Sequence, residues 1–265
     1  MPTAITGPEP MIHIFCSEPT VRAEVARAIP HEIETASGSW SDDFQAISGA
    51  DCSVVVLTEA DAHRGVGLIQ RILESRRSCV LEPSAVVVVE AAGDEAQRPA
   101  AQPIPFGVIP RAAIAAMLMD EVARSCARAA LDFATDRLRA RPRVSDLLAR
   151  AIRTACRCDP PVTTVRALAE CVGCHYTNLE YHSRKEAIGG LLLRHFLDRT
   201  LLLWARARKS SRISWTDVGV EYGIHPERLR RVARRVAGHW PSVQDCAGWM
   251  AIARDYREEV RRAFP

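Results

Sequence analysis

Two short segments of this chain concentrate side chains suited to one kind of chemistry. His175, Tyr176, Thr177, Asn178, Tyr181, Arg184 and Lys185 fall together in the first, and His225, Glu227, Arg228, Arg230, Arg231, Arg234 and Arg235 in the second. Asn, Thr and Tyr can hydrogen-bond to base edges, and Arg184 and Lys185 suit phosphate. Arginine can read guanine through two hydrogen bonds or neutralise a phosphate, and the sequence alone does not divide those roles. The plain alternative is a solvated basic helix face. A second constellation is made of thiols: Cys156-x-Cys158 and Cys171-x-x-Cys174-His175 have spacing that a zinc or redox site could use. Cysteine is also a good small core residue, and that reading is preferred, so no metal or cofactor is expected. Gly65-Val-Gly67 lacks the third glycine of a dinucleotide fingerprint and the lysine of a P-loop. With no Gly-x-Ser-x-Gly elbow and no His-Glu-x-x-His helix either, the chain is not expected to be an enzyme.

What positions the two polar segments is a repeat. Leu168-Ala169, Gly173 and Leu179 recur as Val218-Gly219, Gly223 and Leu229, each 50 residues later, with Val232 following in the second copy. The pattern is that of a bracing helix, a small residue for close packing, a glycine turn, and a second helix whose apolar residues return to the core. One match is weak, because Ala-x-x-x-Gly is common; two in register are a strong signal. Between the copies, Gly190 to Arg208 reads as one helix with Leu193, Phe196, Leu197, Leu201 and Ala205 on one face. Its length of ~27–30 Å approaches one turn of duplex DNA, so the two second helices could enter successive major grooves.

Charge supports a polyanion partner for this half. Residues 1–140 carry a net charge of −7 and residues 141–265 a net charge of +10, which together give the +3 of the whole chain. Such a division suggests that one half meets a polyanion while the other does something else.

These residues resemble the AraC-type family of bacterial transcription regulators. The likeness runs from Val144 to Val243 and takes in a leading helix (Val144 to Thr154), Val165 to Gly173, Gly190-x5-Phe-Leu197, Val218 to Gly223, and the closing Gly238-His-Trp-Pro241. The resemblance implies a monomer touching two groove segments of double-stranded DNA, and commonly a separate sensing or dimerising domain. The family usually carries Phe near the end of each recognition helix; Ser183 and Ala233 stand there in this chain, which implies looser packing.

The acidic half reads differently. Met11 to Cys16, Cys52 to Leu57 and Ala85 to Val89 are strand-like, a weaker strand runs from Pro105 to Ile109, and helices are expected around Val21 to Ile29 and Val66 to Ser75. Alternating strands and helices indicate a parallel sheet with covering helices. In pattern alone this looks like the receiver domain of two-component response regulators. A working receiver needs an acid pair, an Asp ending the third strand and a Lys after the fifth. Here the third strand ends Leu57-Thr58-Glu59, Asp42 and Asp43 precede a different strand, and residues 1–184 hold no lysine.

The expected architecture is therefore an α/β domain followed by an all-α domain with two helix-turn-helix units joined by a long helix. Residues 1–10 form a lead-in, 11–115 the receiver-like domain, 116–140 a linker helix and 141–265 a DNA-binding domain that stands alone. Nine cysteines, an odd number, suit a reducing compartment. No uncharged apolar run approaches the ~20 residues of a membrane span, and the start lacks signal-peptide character, so a cytoplasmic protein is expected. Expected partners are duplex DNA, a second copy through the N-terminal domain or linker helix, and RNA polymerase. The competing readings are a cysteine-based metal or redox sensor controlling the same domain, and an adaptor whose helices bind protein.

Overall fold

The computed structural model describes residues 10–38, 51–58, 67, 84–89, 107–186, 193–209, 213–238 and 245–265. The expected helix at 66–75 (Gly67 apart), the Asp42–Asp43 pair, Gly190 and the closing residues 239–241 lie outside them. The chain divides into two compact units. One comprises Thr3–Ala129 with Val243–Ala251, the other Ala130–Ser242 with Ile252–Pro265.

The first unit is built on a five-stranded parallel sheet of β1 (Met11–Phe15), β2 (Glu34–Gly38), β3 (Cys52–Leu57), β4 (Ser84–Val89) and β5 (Gly107–Pro110). The strand order is 2-1-3-4-5, a doubly wound arrangement in which the order of strands reverses between β1 and β3. β3 and β4 are continuous apolar runs because both of their faces are covered, and Val54, Val55, Val86 and Val88 are fully or almost fully buried. β2 was not expected. Its residues, Glu-Thr-Ala-Ser-Gly, carry no apolar run, and it exists because Met11 to Phe15 pair with it residue by residue along an exposed edge.

α1 (Pro19–Ala28) starts on a proline and buries Val21 and Val25. After a short 3-10 turn at Arg111–Ala113, α2 (Ile114–Arg137) runs for 24 residues, about 36 Å. Its buried Glu121 is held by Arg124 and Arg128 at 3.0 and 2.7 Å. Glu121 lies so close over β5 that a Cβ on Gly107 would stand 2.0 Å from its Cγ, so a larger residue at that position would have to displace the Glu121 side chain. The chain passes into the second unit within α2, at Ala130.

The second unit is helical: α3 (Asp146–Arg157), α4 (Val165–Val172), α5 (Tyr176–Lys185), α6 (Leu193–Arg208), α7 (Trp215–Glu221), α8 (Pro226–Ala237) and most of α9 (Cys246–Ala263). Arg153 Nε donates to Leu138 O at 3.0 Å, and Arg143 N to Ala263 O at 2.9 Å. The first of these bonds ties the helical unit to Leu138, upstream of the expected start at 141. No helix among the described residues is long and apolar enough to cross a membrane.

Candidate nucleic-acid interface

The two polar segments are carried by helix pairs α4–α5 and α7–α8, and three bonds recur at matching places in the two pairs. Thr164 caps α4 by accepting from Ala167 N (3.1 Å), and Ser214 caps α7 by accepting from Asp217 N (3.0 Å). Cys174 N donates to Ala169 O at 3.0 Å, and Ile224 N to Gly219 O at 2.7 Å. Asn178 N donates to His175 O at 3.1 Å, and Arg228 N to His225 O at 2.8 Å. Every one of these partners is displaced by 50 residues. Gly173 (φ +69°) and Gly223 (φ +66°) make the turns in the left-handed region, which side chains other than glycine enter at a cost. The caps escaped the sequence reading, although Thr164 and Ser214 each sit directly before a helix, where such residues satisfy orphan N–H groups.

The same register sets what each second helix shows to solvent. Leu179 and Leu229 are fully buried at matching places, and Ser183 and Ala233 are buried at another. On α5 this leaves Thr177, Asn178, Tyr181, Arg184 and Lys185 exposed, Tyr181 to 58%. His175 sits just before the helix, also exposed, with Nδ1 2.7 Å from Thr177 Oγ1. Tyr176 faces elsewhere. It lies half-buried under the Arg166 guanidinium, 5.8 Å from its ring centre, and hydrogen-bonds to Glu180. That bond raises the Tyr176 phenol and lowers the Glu180 carboxyl from their ordinary ranges.

On α8 the arginines divide. Arg230, Arg231 and Arg234 are all exposed, and Arg230 pairs with Glu227 at 2.5 Å. Arg228 donates to Thr163 O at 2.7 Å, and Arg235 lies 3.1 Å from the buried Asp198 on α6. His225 is the helix cap, its Nδ1 accepting from Glu227 N at 3.2 Å. Pro226 follows in the first turn, where a missing N–H costs nothing.

The first pair is braced by a polar contact at its far end. Ser183 Oγ accepts from Leu193 N at 2.9 Å, tying α5 to the start of α6. A small cavity of about 30 Å³ beside Ser183, Phe196 and Val260 marks the room a larger side chain would fill. Glu186 accepts from Ser145 N at 2.6 Å and lies 2.7 Å from His182 Nδ1. Partial burial works against ionisation of Glu186, but the hydrogen bonds from His182 and Ser145 outweigh it and hold the carboxyl below its usual range. A carboxylate lowered in the folded state adds stability that is present above its unfolded pKa of ~4.3 and is lost as pH falls through the folded value. Glu186→Gln is therefore expected to reduce stability at pH 7 by about 0.5–1 kcal/mol, after screening at this partly exposed site. It should also shrink the loss of stability on acidification. Denaturant melts of parent and variant at pH 7 and pH 3 check this; a gap equally wide at both would sink it.

The four thiols do not converge. Cys156 is half-buried, with its Sγ 3.4 Å from Tyr256 Oη, and desolvation of the thiol pushes it up to about 12. Burial also raises Cys158, with a further push from Cys171. Among the described residues no group of three or more His, Cys, Asp or Glu side chains could hold a metal ion. The thiol spacing is read from the sequence, but α3 turns Cys156 inward to Tyr256 while Cys171 faces solvent on α4.

The chain matches no protein-family profile, no curated protein and no solved structure.

Proposed function

We propose that this protein is a sequence-specific DNA-binding transcription regulator whose two helix pairs act as helix-turn-helix units, with α5 and α8 as recognition helices. The observation that carries the reading is the hydrogen-bond register repeated at 50 residues, which gives two second helices with matching buried positions and polar outer faces. Neutral groups dominate the outer face of α5 and cations that of α8, a combination that serves base reading and phosphate contact. The α6 helix joining the pairs spans about 24 Å over its 16 described residues, against ~34 Å for one turn of duplex.

In this reading the N-terminal unit is a receiver-like domain that sets dimerisation or partner choice without phosphorylation. The third strand runs out at Leu57-Thr58, and the fifth is followed by Arg111, which pairs with Glu24 at 3.2 Å. Acetyl phosphate is expected to leave the protein's intact mass unchanged; a base-labile adduct of one phosphoryl group on residues 1–110 would refute that.

The test of the main reading is duplex binding by the full chain, first against a random library and then against the selected site across a salt series. Binding should weaken linearly on a log–log plot, with ~0.9 of slope for each phosphate neutralised. Absence of duplex binding even at low salt would overturn the proposal and favour a protein-binding adaptor.

A further inference from the structure

A cleft of about 470 Å³ opens between the two helix pairs, wholly inside the helical unit. That volume falls in the ~300–1,000 Å³ range of small-molecule sites. Five guanidiniums line it, those of Arg166, Arg194, Arg228, Arg231 and Arg235, against the carboxylates of Asp198 and Glu180 alone. A concave site with such an excess of one sign focuses potential and draws anions. Arg194 and Arg231 are exposed at its mouth, while Asp198 is only 5% exposed at its floor. Arginine forks match phosphate oxygens in geometry as well as charge.

Asp198 narrows the identity of the occupant. Its Oδ2 lies 3.1 Å from Arg235 Nη1, outside hydrogen-bond geometry, and no donor among the described residues satisfies it. Buried acceptors are nearly always satisfied, so a ligand filling this cleft should bring a donor to that oxygen. Burial pushes the Asp198 carboxyl up, and the surrounding cations, Arg235 foremost, oppose that and favour its charged form. A duplex backbone can reach the mouth arginines, but a phosphodiester has no donor to offer the floor.

We propose that this cleft binds a phosphorylated small molecule of mononucleotide size, with Arg194 and Arg231 taking its phosphate and Asp198 Oδ2 accepting a hydrogen bond from its base or sugar. The site goes beyond the duplex reading and does not depend on it. A ligand here would contact α5, α6 and α8 together, and so could bias how the two recognition helices are held.

Isothermal titration of the full chain without duplex tests this, with GMP and inorganic pyrophosphate as probes. GMP is expected to bind with one-to-one stoichiometry, its guanine edge supplying N–H donors to the carboxylate. Arg194→Ala, on α6 and outside both recognition helices, should weaken both probes about tenfold, the scale of one charge-assisted hydrogen bond. Asp198→Asn should split them: GMP loses affinity about tenfold, whereas pyrophosphate binds more tightly because a repelling charge has gone. Circular dichroism on each variant confirms that the helices are intact. The proposal is overturned if neither probe binds the parent, or if Asp198→Asn moves both in the same direction. It is equally overturned if Arg194→Ala weakens duplex binding alone, which would assign the mouth arginines to the DNA backbone.

Discussion

Gly219→Val is expected to destabilise the helical unit by about 2–3 kcal/mol, the upper range for forcing extra atoms into a packed interior. A Cβ at Gly219 would stand 2.4 Å from the Ile224 carbonyl oxygen, and 3.4 Å from Pro226 Cγ. A backbone oxygen cannot rotate away as a side chain can, so the turn itself must open. That turn holds the Ile224 N–H to Gly219 O bond at 2.7 Å and aims the start of α8. The matching place in the first pair is Ala169, almost fully buried, where the equivalent bond is 3.0 Å and a methyl group is accommodated. Ala169→Gly should cost about 1–2 kcal/mol, from lost helix propensity and one lost buried methyl group. Chemical denaturation of both variants measures the asymmetry, and equal losses at the two positions would show that the turns are not differently packed. Because α8 carries Arg234, the Gly219→Val variant should also lose duplex affinity.

The second large effect expected on the proposed function is a division of labour between α5 and α8. Asn178, exposed on the first turn of α5, is expected to read a base, at about 1–3 kcal/mol for a good bidentate pair. Asn178→Ala should lower affinity for the selected site by about 5- to 150-fold while leaving random duplex almost untouched. Arg234, exposed toward the end of α8, should act through charge. Arg234→Ala should weaken target and random duplex together and flatten the salt dependence by ~0.9 of slope. Arg235, its neighbour, is unsuited to the same experiment: it faces buried Asp198, and its loss would leave that carboxylate poorly compensated. Equal weakening of specific and random duplexes by Asn178→Ala would show the assignment to be wrong.

Much of this was legible in the residues. The repeat of a small residue, a glycine and a leucine at 50-residue spacing is local information, because turn glycines and inward leucines obey backbone conformation and helix period wherever they sit. The buried strands at Cys52–Leu57 and Ser84–Val89 were legible for a similar reason, since unbroken β-branched runs suit a sheet covered on both faces. β2 was not, because an exposed edge strand of polar residues has no pattern of its own and is created by its neighbour. Tertiary structure alone decided how the polar residues were distributed among roles. Tyr176 and Asn178 are two positions apart on one helix, yet the first turns to Arg166 and Glu180 and the second to solvent. Arg234 and Arg235 are adjacent, yet only Arg235 meets Asp198. A helix rotates each successive residue by about 100°, so the period specifies which residues share a face. What that face meets depends on a partner far along the chain, and on this the sequence is silent until the helices pack.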